Sequence, residues 1–378
     1  MIRLIPAAIA VIVSLVLSMP AAAQRKKSKE AKELPTQQLE ALPDPPLSVT
    51  VETAKIGHLA SPLSAKGLLT QQTKDALKAL AKTARGAQIV KLRAFVAGTG
   101  DLRRIPAIVS EEFSDRHQPI PAISVVQVGL LPLEGAQVWL EAVTQEKKVV
   151  NPNGLAFFSG QQVSMQGKVD NPMQHIGPQM EKSIAGLKHA ASSVGIESAA
   201  MLRITCLVSS LVDYPQLSQQ LSREFPQAVS TIVQLQRGPV RPVVECEAVG
   251  RLPRAPASAV VLENPKGLTA SQNYSQLALV NAPRIVLTTT QSAFGSEDPD
   301  VKLAFDRLKR VLESAKTSYS QVFFASYYPL TNPIVDKIRA LRFQYLDKSR
   351  PPASTLILFE GLPSLDASFA MEMAAAAN

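Results

Sequence analysis

A pattern of two β-strands joined by a loop occurs three times in this chain. The copies span residues 121–142, 228–248 and 352–374. Each copy opens with alternating apolar and polar residues and closes on a strand that carries a glutamate; these glutamates are Glu141, Glu247 and Glu372. They lie 106 (247 − 141) and 125 (372 − 247) residues apart. Because solenoid repeats have only about 20–50 residues, this spacing indicates three copies of a whole domain.

The segments before each copy have hydrophobic periods that predict helices and strands in a common order. The chain has 378 residues, 46% of them hydrophobic, which is enough for about two or three domain cores. The predicted helices cover residues 73–84, 105–113, 179–193, 214–225, 301–316 and 334–345. The further predicted strands cover residues 47–53, 89–96, 155–161, 201–208, 277–280, 284–290 and 322–327. We therefore predict α+β units of the order ββαβαββ or a shortened version, each a mixed sheet with two helices on one face. They occupy residues 47–148, 149–252 and 258–378.

Residues 1–23 have the pattern of an export signal. Arg3 provides a positive start, residues 9–19 are apolar, and Ala21–Ala23 form a small-residue cleavage site. A membrane-spanning helix needs about 20 apolar residues, so an uncleaved anchor is the less favoured alternative. No other stretch of the sequence is long and apolar enough to span. We predict a periplasmic or secreted protein with no stable membrane span after signal cleavage.

The formal charge of +9 does not predict nucleic-acid binding, because much of the excess lies in the tail at residues 24–32. This tail belongs to a polar segment, 24–46, that ends rich in proline and is predicted to be a linker. Aromatic residues make up only 5% of the chain, so stacking platforms for bases are not evident. We expect no nucleic-acid partner.

Cysteines and histidines give no support for a metal site or another cofactor. The four histidines are scattered, and the two cysteines, Cys206 and Cys246, have no CxxC spacing. Both cysteines lie on predicted strands of the second unit. In an oxidising compartment they can form a disulfide if those strands are neighbours. The alternative, two small buried apolar side chains, stays open.

An ordered set of short motifs resembles the RidA/YjgF family of enamine/imine deaminases, also labelled endoribonuclease L-PSP-like. The motifs are Asn273-Tyr274-Ser275-Gln276, Phe158-Ser159-Gly160-Gln161, Leu131-Pro132, Leu362-Pro363 and Glu245-Cys246-Glu247-Ala248. The resemblance covers nearly all of the chain after the signal, although no single unit carries the complete set. It implies a chorismate-mutase-like fold and clefts between the subunits of a homotrimer. Three fused units would then form an intrachain pseudo-trimer, a monomer with pseudo-threefold symmetry.

The family's carboxylate-binding arginine is absent at the matching positions, which are Ile123, Val229 and Ser354. In the family its guanidinium grips the substrate carboxylate, a bidentate contact. Arg237, Arg241 or Arg350 can reach in from nearby, although exposure to solvent is the more common fate of such residues. The loss therefore weakens the prediction of an enzyme.

The resemblance assigns Glu245 as the one candidate catalytic residue. The family's glutamate positions or activates a water during hydrolysis, a general acid/base role. Its three equivalents are Trp139, Glu245 and Ala370, so only the second unit keeps it. We interpret Trp139 as apolar bulk that fills the first cleft, with a stacking platform as the alternative. The later glutamates of the same strands, which all three units keep, are interpreted as interface residues.

Four further residues are candidate ligand contacts. Ser159, Gly160 and Gln161 can line the cleft beside Glu245, where the glycine would allow close approach of a ligand to the backbone. The alternative is a strand end that needs a glycine for structural reasons. Tyr274 can donate its hydroxyl to a ligand or only pack against the hairpin.

Three functional hypotheses fit these observations. The leading one is an exported RidA-like protein that binds a small molecule or a partner at clefts between its units. The first alternative is a deaminase-type hydrolase with one surviving cleft around Glu245, and the second is a structural scaffold without catalysis. The missing arginines favour the binding protein and the scaffold over the enzyme.

Overall fold

The computed structural model describes residues 42–98, 100–165, 171 and 174–377, which form a mixed α+β fold. Within this part, the α-helices are α1 (Leu69–Thr83), α2 (Arg104–Ser114), α3 (Gly177–Ser193), α4 (Tyr214–Glu224), α5 (Asp298–Ser314) and α6 (Asn332–Leu341). The first eight strands are β1 (Ser48–Glu52), β2 (Ile56–Ala60), β3 (Gln88–Val96), β4 (Ala122–Gln127), β5 (Val138–Gln145), β6 (Leu155–Ser164), β7 (Met201–Val208) and β8 (Val229–Gln234). The remaining strands are β9 (Val243–Arg251), β10 (Val260–Glu263), β11 (Leu277–Val280), β12 (Arg284–Thr288), β13 (Gln291–Phe294), β14 (Val322–Pro329), β15 (Ala353–Leu356) and β16 (Ala367–Ala377).

The predicted signal peptide, residues 1–23, and most of the predicted linker, 24–46, fall outside the described residues. Residues 42–46 have no regular secondary structure. In the part of the chain that the structure describes, every helix is too short or too polar to cross a bilayer.

The strands form three sheets that share one arrangement. The first sheet has the order β2-β5-β3-β4, the second β10-β11-β6-β9-β7-β8, and the third β1-β12-β16-β14-β15, with β13 also paired to β16. In each sheet a parallel pair (β3 with β4, β7 with β8, β14 with β15) is followed by a long strand antiparallel to its first member. The second strand of each parallel pair and the long strand after it are the two strands of the pattern that the sequence repeats.

Two helices cover one face of each sheet. In α1 the apolar residues recur at Leu69, Leu77 and Leu80, so one stripe of the helix is buried against the first sheet. The same packing joins α3 and α4 to the second sheet, and α5 and α6 to the third. The six helices thus give each sheet its own apolar core.

The opposite faces of the three sheets pack against one another. One apolar cluster combines Phe95, Val233 and Phe359, and a second combines Ile56, Phe157 and Phe324, with one residue from each sheet or its adjoining loop in both cases. Trp139 and Ala370 belong to the first of these clusters. The sheets therefore share a common interior in addition to their separate helix-covered cores.

Six charged residues lie in this shared interior, and we call them the central network: Lys91, Arg93, Arg203, Glu141, Glu247 and Glu372. Every carboxylate oxygen in it accepts a hydrogen bond. The donors include hydroxyl groups from a neighbouring sheet: Thr205 to Glu141 at 2.6 Å, Thr355 to Glu247 at 2.6 Å, and Ser124 to Glu372. These contacts run from sheet to sheet around the interior, which agrees with the interpretation of the three glutamates as interface residues.

The central network favours the ionised form of two of its carboxylates, Glu141 and Glu372, despite their burial. Burial by itself would raise the pKa of Glu141, but the charges of Arg93 and Arg203 and the hydrogen bond from Thr205 lower it to about 2. For Glu372, burial is likewise outweighed by Lys91, which lowers the pKa of that carboxyl. Such groups are stable inside a protein only when paired and hydrogen-bonded, so the three sheets depend on one another for their interior charges.

Two strand placements differ from the sequence prediction. The strand predicted at residues 47–53 was expected in the first unit, but β1 pairs antiparallel with β12 of the third sheet. The strand at residues 277–280 was expected in the third unit, but β11 pairs with β6 of the second sheet. Alternating residues predict a strand and its buried face. They do not predict which strand it pairs with, because the hydrogen bonds between strands are made by the backbone and depend on which sheet edge the chain can reach.

The two cysteines form a disulfide. Cys206 on β7 and Cys246 on β9 are directly opposite in the antiparallel register, and both are completely buried. The prediction that they bridge if their strands are neighbours is therefore confirmed, and the alternative of two small buried side chains without a bridge is wrong.

Candidate functional site

Glu245 lies on β9 with its side chain almost entirely buried, at 3% exposure. The Gln162 side chain of β6 donates a hydrogen bond from Nε2 to its Oε2 at 2.8 Å. Burial, with the nearby charge of Glu247, raises the pKa of Glu245 to about 7, although the hydrogen bond from Gln162 acts in the opposite direction. This carboxyl can therefore gain or lose a proton near neutral pH.

A β-bulge brings β6 against Glu245. Phe158 is opposite Ala248 and Gln161 is opposite Cys246, so β6 has one residue more than β9 between these pairs. A Cβ atom at Gly160 would lie 2.0 Å from Oε1 of Glu245. Gly160 is thus required by the approach of the Glu245 carboxyl itself, which favours the structural alternative for this glycine.

The structure brings the sequence-predicted site residues together where the second and third sheets meet. Ser159 Oγ donates to the Ser275 carbonyl at 2.6 Å and accepts from the backbone N–H of Ser354 at 2.7 Å. Gln161 donates from Nε2 to Oε1 of Gln276 at 2.8 Å. Ser159 is completely buried with its hydrogen bonds made inside the protein, so in this structure its hydroxyl connects the two sheets.

Tyr274 is partly buried beside this junction. Burial, together with the charge of Glu245, raises the pKa of the Tyr274 phenol. Its hydroxyl therefore stays protonated at neutral pH and remains a hydrogen-bond donor.

A groove of about 360 Å³ lies outside Glu245, and we call it the interface groove. Its walls come from the second sheet, from β15, and from one face of α6; they include Gln162, Gln236, Arg241, Leu356, Asn332, Val335, Asp336 and Arg339. Gln162 is exposed and both lines the groove and bonds Glu245. The side chain of Gln162 therefore separates Glu245 from the groove.

The interface groove contains two arginines, Arg241 and Arg339. Arg241 is exposed, and Arg339 lies 3.6 Å from Asp336, between Nη1 and Oδ1, in a pair that is mostly exposed. The positive charge of Arg339 acts on Glu245 to lower its pKa, a smaller effect than burial. Asp336 balances the charge of Arg339, and no other carboxylate of the described residues lines the groove to balance Arg241. The groove therefore favours an anionic ligand.

Of the three arginines that the sequence suggested near the cleft, only Arg241 lines the groove. Arg237 lies 3.8 Å from Glu360 on the surface, and Arg350 donates to the backbone carbonyls of Ser320 and Val260. Arg339 and Gln162 were missed by the sequence prediction. The signal for Arg339 was the spacing of residues 332, 335, 336 and 339, which puts them on one helical face.

The strand register changes one of the three residues that the sequence analysis matched to the family's arginine. Arg93, Thr205 and Ser326 are each opposite one of the three interior glutamates. Their parallel partners are Ser124, Thr231 and Thr355. The residues one step earlier are Ile123, Ser230 and Ser354, so the prediction of Val229 is wrong by one residue. None of the three is an arginine.

The other two positions that correspond to Glu245 are apolar and closed. Trp139 is 7% exposed in the shared interior, and its Nε1 donates to the Ser61 carbonyl at 2.8 Å. Ala370 is completely buried. This agrees with the interpretation of Trp139 as apolar bulk. Within the described ranges, no group of three or more metal-ligating side chains is positioned to hold a metal ion.

Comparisons with known proteins give structural neighbours only: no family model and no curated protein matches the chain. A Rid-family protein of unknown function from Yersinia pestis is 17% identical, and all of it aligns with 32% of this chain at a TM-score of 0.29. A member of the YjgF/YER057c/UK114 family from Mycobacterium tuberculosis is 13% identical, with 99% of it aligned to 31% of this chain at 0.24. A chorismatase is 12% identical, with all of it aligned to 86% of this chain at 0.25. TM-scores this low carry no argument about function, so the function is inferred from the contacts of this chain.

Proposed function

We propose that this chain is a fusion of three diverged RidA-like units and that it binds a small anionic molecule in the interface groove. The proposed units are residues 47–148, 149–252 and 258–378, with β1, β10 and β11 exchanged between neighbours. The shared strand arrangement of the three sheets and their common interior support an intrachain pseudo-trimer. The loss of the family arginine from all three units leaves the groove with a different set of cations.

The observation that carries the proposal is the position of the groove. It lies between two sheets, beside Glu245, and it contains Arg241 and Arg339. Of the three equivalent strand positions, which hold Trp139, Glu245 and Ala370, only the second has a glutamate. Its volume of about 360 Å³ is within the usual range for small-ligand sites, about 300–1,000 Å³. Guanidinium groups bind carboxylates through paired hydrogen bonds, so the ligand class is a small carboxylate or a similar anion.

The proposal includes export through the predicted signal at residues 1–23. The Cys206–Cys246 disulfide supports it, because disulfides persist in the periplasm and outside the cell and are rare in the cytosol. A fusion of the first 30 residues to a reporter that is active only after export tests this part directly.

Thermal unfolding of the full chain with benzoate, with benzamide as its uncharged counterpart, tests binding. We expect benzoate to raise the melting temperature and benzamide to have a much smaller effect, since ligands that bind only the native state stabilise it. The double variant Arg241→Met/Arg339→Met should lose the benzoate effect. The matched control is Arg237→Met, which removes an arginine of the same hairpin that does not line the groove.

Equal responses to benzoate and benzamide would contradict an anion site. A benzoate response that persists in Arg241→Met/Arg339→Met would place the anion elsewhere. Absence of any response across mono- and dicarboxylates from pyruvate to benzoate would leave the scaffold hypothesis as the better one.

A second candidate, a hydrolase that acts on an enamine or imine, is favoured by the raised pKa of Glu245. A carboxyl with a pKa near 7 is suited to general acid/base catalysis at neutral pH. Hydrolysis of an imine generated in situ, followed as ammonia release, should then be lost in Glu245→Gln. Release no faster than the uncatalysed background in the unsubstituted protein removes this candidate without affecting the binding proposal.

A further inference from the structure

A second cavity, distinct from the interface groove, lies inside the protein where the three sheets meet. This central pocket has a volume of about 80 Å³. Its walls are mostly apolar and include Ile56, Phe157, Leu287, Phe324 and Ala374. Its polar end is formed by the central network and by His58 of β2.

At this polar end the carboxylates are fully hydrogen-bonded, whereas the cation Arg203 has an unpaired donor within the described ranges. Each carboxylate oxygen of the network already accepts a hydrogen bond. Arg203, in contrast, donates from Nη2 to Glu247 at 3.1 Å, and its buried Nε has no partner among the described residues. A guanidinium has five N–H donors, and the one on Nε of Arg203 is left unpaired by the described residues.

His58 adds a second unsatisfied group beside Arg203. Both of its ring nitrogens are buried without a hydrogen-bond partner in the described part of the chain. Burial, with Arg203 nearby, lowers the pKa of His58 to about 3, so the ring is neutral and offers one N–H. Unpaired buried polar groups are costly, and a ligand that accepts hydrogen bonds would relieve this cost.

We propose that the central pocket is a second binding site, for a short-chain monocarboxylate such as propionate, held at Arg203 and His58. The carboxylate accepts from the guanidinium and the imidazole, and the short apolar chain lies against Phe157 and Phe324. Because cavities that accept benzene have about 150 Å³, the central pocket excludes benzoate. This size limit separates it from the interface groove.

Thermal unfolding of the full chain with sodium propionate, against sodium chloride at equal ionic strength, tests the proposal. We expect a rise in melting temperature with propionate that Arg241→Met/Arg339→Met retains. Arg203→Met should weaken propionate binding by about tenfold or more, because it removes a charge-assisted contact. The response to benzoate, which reports on the groove, should be unchanged in Arg203→Met.

His58→Phe provides a second variant in case Arg203→Met fails to fold. It removes two unsatisfied nitrogens and fills part of the pocket, so the protein should remain folded while its propionate response falls. A rise in melting temperature with propionate no greater than with chloride would overturn the proposal. A propionate effect that Arg203→Met and His58→Phe both retain would overturn it too. A crystal structure from propionate with only water in the pocket would overturn it as well.

Discussion

Arg93 and Glu247 form a hydrogen bond of 2.9 Å between Nη2 and Oε1, although 154 residues separate them in the chain. The same Nη2 also lies 2.6 Å from Oε2 of Glu141. One guanidinium thus neutralises carboxylates from two sheets. Arg93 has no charged equivalent in the other sheets, where the corresponding residues are Thr205 and Ser326. The interior is therefore not symmetric in its charges.

Replacement of Arg93 should be among the most destabilising changes in the protein. Arg93→Met leaves Glu141 and Glu247 buried with fewer partners, and loss of one member of a buried ion pair costs about 3–5 kcal/mol. Urea unfolding measures the change in the free energy of unfolding. The control is Arg103→Met, which removes an exposed arginine paired with Asp101 and should leave the midpoint nearly unchanged. Similar effects of the two variants would contradict an essential role for the central network.

Glu245→Gln should stabilise the protein above neutral pH. The folded-state pKa of about 7 lies above the ordinary value of 4.5, so the folded state binds the proton more tightly than the unfolded state. Stability is therefore lost as pH rises from about 4.5 to about 7, and the loss persists at higher pH. We expect Glu245→Gln to gain about 3 kcal/mol over the unsubstituted protein at pH 8. At pH 4.5 the two should be nearly equal.

Urea midpoints of both proteins across this pH range provide the measurement. Other titrating groups are common to the two proteins and largely cancel in the difference. A difference that is independent of pH would show that Glu245 titrates normally in the folded protein.

Gly160→Ala should destabilise the junction between β6 and β9. The new Cβ would lie 2.0 Å from Oε1 of Glu245, so the carboxyl or the bulge must move, at a cost of about 1–3 kcal/mol. Gly177→Ala is the matched control because no atom lies within 4 Å of a Cβ at that position. Combination of Gly160→Ala with Glu245→Ala should cost less than the sum of the single changes; strict additivity would disprove this contact.

Loss of the disulfide should lower stability without altering the strand order. Cys206 and Cys246 are 40 residues apart, and closure of a loop of this size contributes about 2–4 kcal/mol. Cys206→Ala/Cys246→Ala should therefore unfold at lower urea, and a reductant should lower the midpoint of the unsubstituted protein only. A midpoint unaffected by reductant in both proteins would mean that the bridge does not form in solution.

The sequence was informative wherever a pattern has a local cause. We predicted α4 and β7 to within one residue, at 214–225 and 201–208. Both are determined by the hydrophobic period and by the residues that start and end helices and strands. The meeting of Glu245 with Gly160 was also predicted, from ordered motifs and not from any distance.

The sequence could not show whether the polar face of a strand is exposed to solvent or packs against another sheet. Lys91 and Arg93 alternate with apolar residues on β3, a pattern that is equally typical of a solvent-exposed face. Only the assembled sheets show that these two side chains meet carboxylates of other strands. The partners of β1 and β11 were missed for a related reason, since an edge of a sheet pairs with any available backbone.

The pairing of β1 with β12 also has a consequence for the order of events during folding. Ser48 and Thr288 are partners in this ladder, so the first strand must wait for the synthesis of 240 further residues (288 − 48). At about 5–20 residues per second, this interval is on the order of 10–50 s. During it the hydrogen-bonding edge of β1 is available to other nascent chains, and a holdase that covers it would protect the protein until its last third emerges.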